Sequence, residues 1–345
     1  MASETEIPQP VKRTKPTLRT VAEATGFAVT TVSRALAGDE RIAESTRLSV
    51  AEAAERVGYV PDRAAQRLRT GRTKVIGLLL NTDHEYLGFT NEFLSGITGA
   101  LRGTGYAVTI VPDTVEEDRM AVVRNILRNR LADGIVFTRT ECFDERVRFL
   151  LENDFPFVTH GRTDFTTPHP FVDYDNAAFA RMAVERLAEK GRRHVCMILP
   201  DDRFTFAQHL RYGFMSAVRE AGLEFTLPSG VDLDSSPDEI AETTRITLAG
   251  PDRPDGFICV GEVSALATLA ALSDAGIAIG EAADVVAKRA SPIFSQLRPR
   301  IETVFEDLRH TGFEAGELLL KRIDGADPLG LQVLHAPQAR FRLSG

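Results

Sequence analysis

Residues 17–38 read TLRTVAEATGFAVTTVSRALAG. Leu18, Val21, Ala22 and Ala24 share one helical face that stops at Gly26. Val32, Ala35 and Leu36 form a second face that stops at Gly38. Apolar residues three and four apart follow helix periodicity, and glycine is the residue that most easily ends a helix. The second helix starts at Val29-Thr30-Thr31, small and β-branched, and projects Thr30, Thr31, Ser33 and Arg34 outward. Short side chains let a helix approach the DNA major groove, and an arginine can bond guanine through two donors. The pattern predicts a helix-turn-helix whose second helix reads DNA.

Working outward, residues 1–16 carry three prolines with Lys12, Arg13 and Lys15 and read as a disordered arm. Downstream, Ser45-Thr46 precede a third helical stretch with Val50, Ala53, Ala54 and Val57, ending at Gly58. Residues 17–61 are thus expected to form a compact trihelical headpiece. After Pro61 comes DRAAQRLRT, expected as a hinge helix within 62–72. Ala64, Ala65 and Leu68 lie on one face of it, among Arg63, Gln66, Arg67 and Arg69. That apolar face is too small to hold a helix alone. Charge follows the same division. Residues 1–74 carry 13 Lys/Arg against 9 Asp/Glu, a balance of +4; the rest carries 28 against 40, a balance of −12. A basic head on an acidic body suits a nucleic-acid-binding module attached to something else.

From Val75 the pattern changes to continuous apolar runs, as buried parallel strands show. VIGLLL, YAVTIV, DGIVFT and PFVTH alternate with helical FLSGITGAL, MAVVRNILRN and RVRFLLEN. A second set follows: strands HVCMIL, GFICV and DVVA alternate with helices AFARMAVERLAEKG, RYGFMSAVREAG and ALATLAALSDAG. Alternating strands and helices imply two doubly wound α/β lobes, with ligands outside the carboxyl ends of the strands. The expected division assigns 73–172 and 305–330 to the first lobe, and 173–304 and 331–345 to the second.

These segments resemble the LacI/GalR-type transcriptional regulators, whose headpiece signature reads roughly T-L-x-D-V-A-x-x-A-G-V-S-x-x-T-V-S-R-x-L-N-G. The chain keeps Thr17, Leu18, Val21, Ala22, Gly26, Thr31, Val32, Ser33, Arg34, Leu36 and Gly38. It departs at Thr20, Thr25, Phe27, Ala28 and Ala37. Ala28 replaces a capping serine, a cap worth ~1 kcal/mol. STRLSVAEAAERVGYVP and DRAAQRLRTGRT resemble the family's third helix and hinge in order and spacing. The resemblance extends, more weakly, over 75–345, implying a periplasmic-binding-protein-like core. The fold class is therefore a small all-α helix-turn-helix headpiece plus an α/β periplasmic-binding-protein-like core of two doubly wound lobes.

The resemblance and the outward faces nominate Thr17, Leu18, Arg19, Val29, Thr30, Thr31, Ser33, Arg34, Arg41, Thr46 and Tyr59 as headpiece contacts to DNA. Ala65, Gln66, Leu68 and Arg69 are the hinge contacts. In the family the hinge folds on the operator and drives a leucine into the minor groove. Leu68 stands at that position, or else packs on the body. Tyr59 either lies along the DNA backbone or closes the headpiece core.

For an effector, the family grips sugar hydroxyls with an arginine three residues before the glycine of R-x-x-G-[FYW]. Here the motif is His209-Leu210-Arg211-Tyr212-Gly213-Phe214, so that place is Leu210, and His209 or Arg211 would compensate. The family's Asn-Asp after the strand at 257–260 is Gly261-Glu262, and its G-Y/F-D-D is Ala287-Lys288-Arg289-Ala290, basic where the family is acidic. The candidate effector set is Phe89, His160, Arg162, His209, Arg211, Glu262 and Arg289. Arg162 has two readings, a ligand contact or an ion pair with Asp164 or Asp173. Phe89 also reads as core, and Asp173 and Asp175 as lobe-linking residues.

The implied protein is a DNA-binding regulator, a repressor of carbohydrate genes that a sugar releases from palindromic double-stranded DNA. PFVTHGRT, PHPFVD and the DVVAKR run resemble regulators of alpha-glucoside use, with sucrose, maltose or trehalose as effectors. A homodimer is expected, because FRLSG ends the chain without leucine heptads. The competing classes are a solute-binding protein of a sugar transporter and an α/β enzyme. The polar, proline-containing start MASETEIPQPVKRTKPT argues against the first; the second lacks a nucleophile–base pair. No apolar run approaches the ~18 residues of a membrane span. Cys142, Cys196 and Cys259 are far apart and read as free thiols of a cytoplasmic, nucleoid-associated protein. Seven histidines show neither H-x-x-x-H nor H-E-x-x-H spacing, so neither a metal nor a cofactor is expected.

Overall fold

The computed structural model describes residues 15–60, 67, 70–80, 88–113 and 118–341, Arg340 by its backbone alone. The chain divides into two compact units after Thr73. The first holds α1 (Leu18–Thr25), α2 (Val29–Leu36) and α3 (Glu44–Val57). Thr17 opens α1 with a reciprocal cap: its hydroxyl accepts from Thr20 N, and the Thr20 hydroxyl accepts from Thr17 N at 3.1 Å. Thr20 thus does the work of a longer polar side chain. Ala28 makes no side-chain cap for α2, as its methyl dictates. The third helix begins earlier than Ser45-Thr46 suggested. Those two lie in its first turn, where Glu44 favours the positive end of the helix dipole. Gly26 and Gly58 end their helices at φ 73° and 67°, a conformation that costs other residues ~1 kcal/mol or more. Val21, Val32 and Val50 are fully buried against Ala22, Ala35, Ala53 and Ala54, and Tyr59 packs half-buried against the same core. The alanines let three short helices close on a very small core. The hinge contacts Ala65, Gln66, Leu68 and Arg69 lie outside the described residues.

The second unit is built from two six-stranded sheets. The first contains β1 (Val75–Leu80), β2 (Ala107–Pro112), β3 (Gly134–Phe137), β4 (Phe157–His160), β5 (Phe171–Tyr174) and β11 (Gln332–His335). Its order is β11-β5-β4-β3-β1-β2, all parallel. The second contains β6 (His194–Met197), β7 (Glu224–Thr226), β8 (Gly256–Cys259), β9 (Asp284–Arg289), β10 (Glu302–Phe305) and β12 (Gln338–Arg340). Its order is β12-β10-β9-β8-β6-β7, with β12 antiparallel. The same winding therefore occurs twice. In each sheet the strand order reverses once, at β1/β3 and at β6/β8, which opens a crevice at the carboxyl ends.

Helices cover both faces: α4 (Phe89–Ala100), α5 (Arg119–Asn129), α6 (Glu145–Glu152) and α11 (Leu308–Ile323) on the first sheet, and α7 (Asn176–Glu189), α8 (Thr205–Ala221), α9 (Pro237–Ala249) and α10 (Glu262–Asp274) on the second. The tightest packing is α4 on α11, where a Cβ at Gly96 would overlap the Arg309 carbonyl and one at Gly312 the Phe93 carbonyl. In the second lobe Gly213 serves the same end, its hydrogen facing the Ala177 carbonyl.

Three connections cross between the lobes, at 174–176, 305–308 and 335–338. This differs from the expected division at the last segment. Residues 332–335 form β11 in the first sheet, and only β12 joins the second. The stretch had no turn signal before His335-Ala-Pro to mark the crossing. The short strands β5 and β7 and the helix α9 were also not set apart. Yet α9 carries a readable start, Ser236 and Glu239 capping each other around Pro237 at the first turn.

Candidate functional site

In the headpiece, Thr17, Arg19, Val29, Thr30, Arg34 and Arg41 are exposed, and Leu18, Thr31, Ser33 and Thr46 are half-buried. Asp39 organises two of the headpiece arginines, Arg34 and Arg41. Its carboxylate accepts from Arg34 Nε at 2.9 Å, from Arg41 Nε at 2.9 Å and Nη2 at 2.9 Å, and from the Arg41 backbone at 3.1 Å. Those donors, Arg41 first and then Arg34, hold the Asp39 carboxyl well below its usual range. The Arg34 contact takes Nε, the one nitrogen not needed for a two-donor bond to a guanine edge. Asp39 therefore steers Arg34 without occupying its end.

The body holds a cleft of about 810 Å³, open mouth included, at the facing carboxyl ends of the two sheets. From the first lobe come Phe89, Thr138, Arg139, Thr140, His160, Gly161 and Asp173; from the second come Asn176, Pro200, Phe206, Leu233, Asp234 and Lys288; Glu306 stands on the crossing. The lobes touch across it. Arg139 forms an ion pair with Asp234, and Thr205 donates to the Thr140 carbonyl from both its nitrogen, at 3.0 Å, and its hydroxyl, at 3.2 Å.

Burial sets the chemistry of this wall. Lys288 Nζ lies 2.9 Å from Glu306 Oε2 and 3.2 Å from Asn176 Oδ1, and 5.0 Å from the Tyr174 ring centre. Burial pushes the Glu306 carboxyl up, but Lys288 and His160 outweigh it and bring the pKa down to about 2. Burial pushes the Asp173 carboxyl up, with Arg162 and His160 opposing. Burial, with Glu306 and Asp175 near, pushes the Tyr174 phenol well above its usual value. His160 Nε2, Asp173 Oδ2 and Tyr174 OH are buried and make no hydrogen bond within the described residues. His160 Nε2 nonetheless faces Glu306 Oε1 at 3.7 Å and Asp173 Oδ2 faces Arg162 Nε at 3.4 Å, both at ion-pair distance. Arg139 is held in the left-handed region at φ 58°, a strain of order 1–3 kcal/mol that concentrates at functional sites. What holds it is a pair of arginines, Arg146 buried and Arg119 half-buried. Arg146 Nη2 and Arg119 Nη2 donate to its carbonyl at 3.1 and 3.3 Å, while both bind Asp113.

Of the effector candidates, Phe89 and His160 line the cleft, with their rings 5.5 Å apart. Arg162 and His209 sit at its edge as a pair, Nη2 to Nδ1 at 3.4 Å, with Arg162 Nε 3.4 Å from Asp173. Of its two readings, the structure shows the ion pair with Asp173. Arg211 does not line the cleft: it bonds Asp202 at 2.5 Å, while its neighbour Leu210 is buried in the core. Glu262 is spent on the backbone nitrogens of Ala290 and Ser291, at 3.1 and 2.7 Å. Arg289 bonds Thr303 and stacks on Phe305. Strand alternation turns Lys288 inward and Arg289 aside, so the basic replacement acts one residue earlier than expected. Missed altogether were Thr138–Thr140 after β3 and Glu306 after β10. The carboxyl-end rule, applied at β4, pointed to both.

A helix-turn-helix unit followed by a two-lobed body with an interlobe cleft defines a DNA-binding regulator with a periplasmic-binding-protein-like ligand domain. Comparison supports each half. Bacterial regulatory proteins of the lacI family match residues 17–62, and a periplasmic binding protein-like domain matches residues 184–344. The HTH-type transcriptional regulator AglR of Rhizobium meliloti (strain 1021) is 30% identical over 317 residues, 89% of this chain and 87% of that protein. The lac repressor dimer bound to operator and the anti-inducer ONPF superposes with a TM-score of 0.78 at 20% identity, over 94% of this chain and 98% of that one. The complex of the transcriptional regulator CelR with cellobiose gives 0.67 at 24%, over 96% and 100%. The chain belongs to the LacI family. It is a transcriptional regulator and not an enzyme. Among the described residues no helix is long and apolar enough to cross a membrane.

Proposed function

We propose that this regulator is a repressor of carbohydrate uptake or catabolism genes, binding a palindromic operator as a homodimer and released by a neutral sugar of the alpha-glucoside class. The observation that carries the effector class is charge balance in the cleft. Arg139 and Lys288 are each matched by a carboxylate, Asp234 and Glu306, while Asp173 faces Arg162. Such a wall offers donors and acceptors at once and no net charge to attract an ionic ligand. Hydroxyls, which donate and accept, suit it better than phosphates or carboxylates. Phe89 and Phe206 add apolar faces for sugar C–H surfaces. The transcriptional regulator CelR, of the same fold, forms a complex with cellobiose, which puts disaccharides first in line.

A thermal-shift screen of sucrose, maltose, trehalose and cellobiose against free purines tests this. A ligand at 100 times its dissociation constant adds about 2.7 kcal/mol of stability. Stabilisation by a purine and by no sugar would contradict the effector class. Sedimentation equilibrium at micromolar protein is expected to show a dimer, and a tetramer would remove the twofold match to palindromic half-sites.

A further inference from the structure

We propose that His310, Glu314 and His335 form a binding site for one divalent transition-metal ion of the zinc class, beside the crossings between the lobes. The spacing of the histidines along the chain does not announce it. The fold assembles it: His310 and Glu314 lie one turn apart on α11, and His335 is the last residue of β11. One donor atom from each lies within 4.8 Å of the others. The two imidazoles lie nearly parallel, 15° apart with centres 5.5 Å apart, and flank the carboxylate. His335 Nε2 stands 2.6 Å from Glu314 Oε2, and His310 Nε2 3.4 Å from Glu314 Oε1.

Proton bookkeeping around His335 points to a cation. The Thr311 hydroxyl has one hydrogen, and it goes to the Asp307 carbonyl at 2.9 Å. Toward His335 Nδ1, at 3.4 Å, that oxygen is left as an acceptor. Nδ1 therefore carries the ring's proton, and in a neutral ring Nε2 presents a lone pair. That lone pair faces a carboxylate oxygen that is buried and accepts no hydrogen bond among the described residues. Two lone pairs at this distance repel. A positive charge must lie between or near them, either a second ring proton or a metal ion. Thr311 meanwhile plays the part that outer partners of metal-bound histidines play, fixing the ring through its other nitrogen.

The donor set selects the ion. Two imidazole nitrogens and one carboxylate suit Zn²⁺, Co²⁺ or Ni²⁺ and not Ca²⁺ or Mg²⁺, which take oxygen donors. Bonds of 2.0–2.1 Å in a tetrahedron put donors roughly 3.3 Å apart, so the widest separation, within 4.8 Å, must close by up to about 1.5 Å while the 2.6 Å His335–Glu314 pair opens. His310, with 58% of its side chain exposed, supplies that movement and the entry path. An ion there would tie the end of β11 to the first turns of α11. It would sit next to two of the three crossings, and the His335 carbonyl accepts from Asp175 N of the third at 2.9 Å.

The test uses the tag-free full-length chain, stripped with chelator and titrated with Co²⁺ and then Zn²⁺. One Co²⁺ per chain is expected, with visible d–d absorption, no thiolate charge-transfer band, and displacement by one Zn²⁺. His310→Gln, at an exposed position that leaves the packing intact, and Glu314→Gln should each weaken Co²⁺ binding about tenfold or more. Absence of Co²⁺ binding by the folded wild type would overturn the site and leave a protonated His335–Glu314 pair. So would unchanged affinity in both variants, or a thiolate band that assigns the ion to a cysteine.

Discussion

Arg34 in the headpiece and Lys288 in the cleft are both cations held by a carboxylate, and they live in opposite surroundings. Arg34 keeps 47% of its side chain in solvent while Asp39 holds its Nε. Lys288 and Glu306 keep 6% and 7%. A pair in water is screened and contributes ~0–1 kcal/mol to stability, so the headpiece can spend its charges on DNA at little structural cost. A buried pair is different. Removing one partner strands the other in a poorly polarisable place, which costs about 3–5 kcal/mol. The head is therefore expected to tolerate charge substitution and lose only recognition, and the cleft to lose stability as well.

Lys288→Met should show the largest effect. It leaves Glu306 buried opposite a thioether, and chemical denaturation is expected to report a loss of about 3–5 kcal/mol, most of it recovered in Lys288→Met/Glu306→Gln. A single-variant loss below about 1 kcal/mol would erase the distinction between the regions. Arg34→Ala should leave the denaturation midpoint alone and lower specific operator affinity by about 1–3 kcal/mol, with Thr30→Ala in the same direction. Equal binding of operator and random DNA by wild type and both variants, in a gel-shift series, would remove α2 from recognition.

A third contrast is in pH. Burial and the neighbouring Arg162 hold the His209 ring below its ordinary 6.5, and burial does the same to His169. The unfolded chain takes up protons that the folded body refuses, so stability is present above 6.5 and lost as pH falls through it. Asp173, raised by burial, works in the opposite sense. Thermal unfolding between pH 7.5 and 5.5 should therefore show a falling midpoint, with a shallower fall in His209→Gln. An unchanged slope would assign the acid sensitivity elsewhere. The smallest effect is expected for Asp39→Asn. The denaturation midpoint should stay where it is, while Arg34 and Arg41 lose their common anchor and operator affinity drops a few-fold. Fluorescence anisotropy with operator DNA resolves a change of that size.

The two regions also differ in how openly the sequence declares them. The headpiece is local: Val21, Val32 and Val50, the glycines that end its helices and the outward Thr30 and Arg34 all fall within the 38 residues from Val21 to Gly58, and helix periodicity is enough to sort them. The cleft gathers Arg139, His160, Lys288 and Glu306 from strand ends up to 167 residues apart. The run VIGLLL and its successors announced the strands, because buried parallel strands are continuously apolar. Which polar residue at a strand's end turns inward depends on register. That is why Lys288 and not Arg289 reaches the cleft. Arg211 was placed by a motif whose glycine serves helix packing at Ala177 whether or not an arginine precedes it. The crossing after β11 escaped because QVLH reads equally well as a strand of either sheet.

The account stands on coupling between the two regions, and operator affinity with and without sugar tests it most directly. Anisotropy titration of a selected palindromic operator would compare the wild type with Asp173→Asn, an isosteric change at the buried carboxylate, with and without the sugar that stabilises the wild type. The expected result is operator binding at least tenfold weaker with sugar for the wild type. For Asp173→Asn, wild-type operator binding is expected without release. A sugar that stabilises the body yet leaves operator affinity unchanged, or equal release in the variant, would contradict the account.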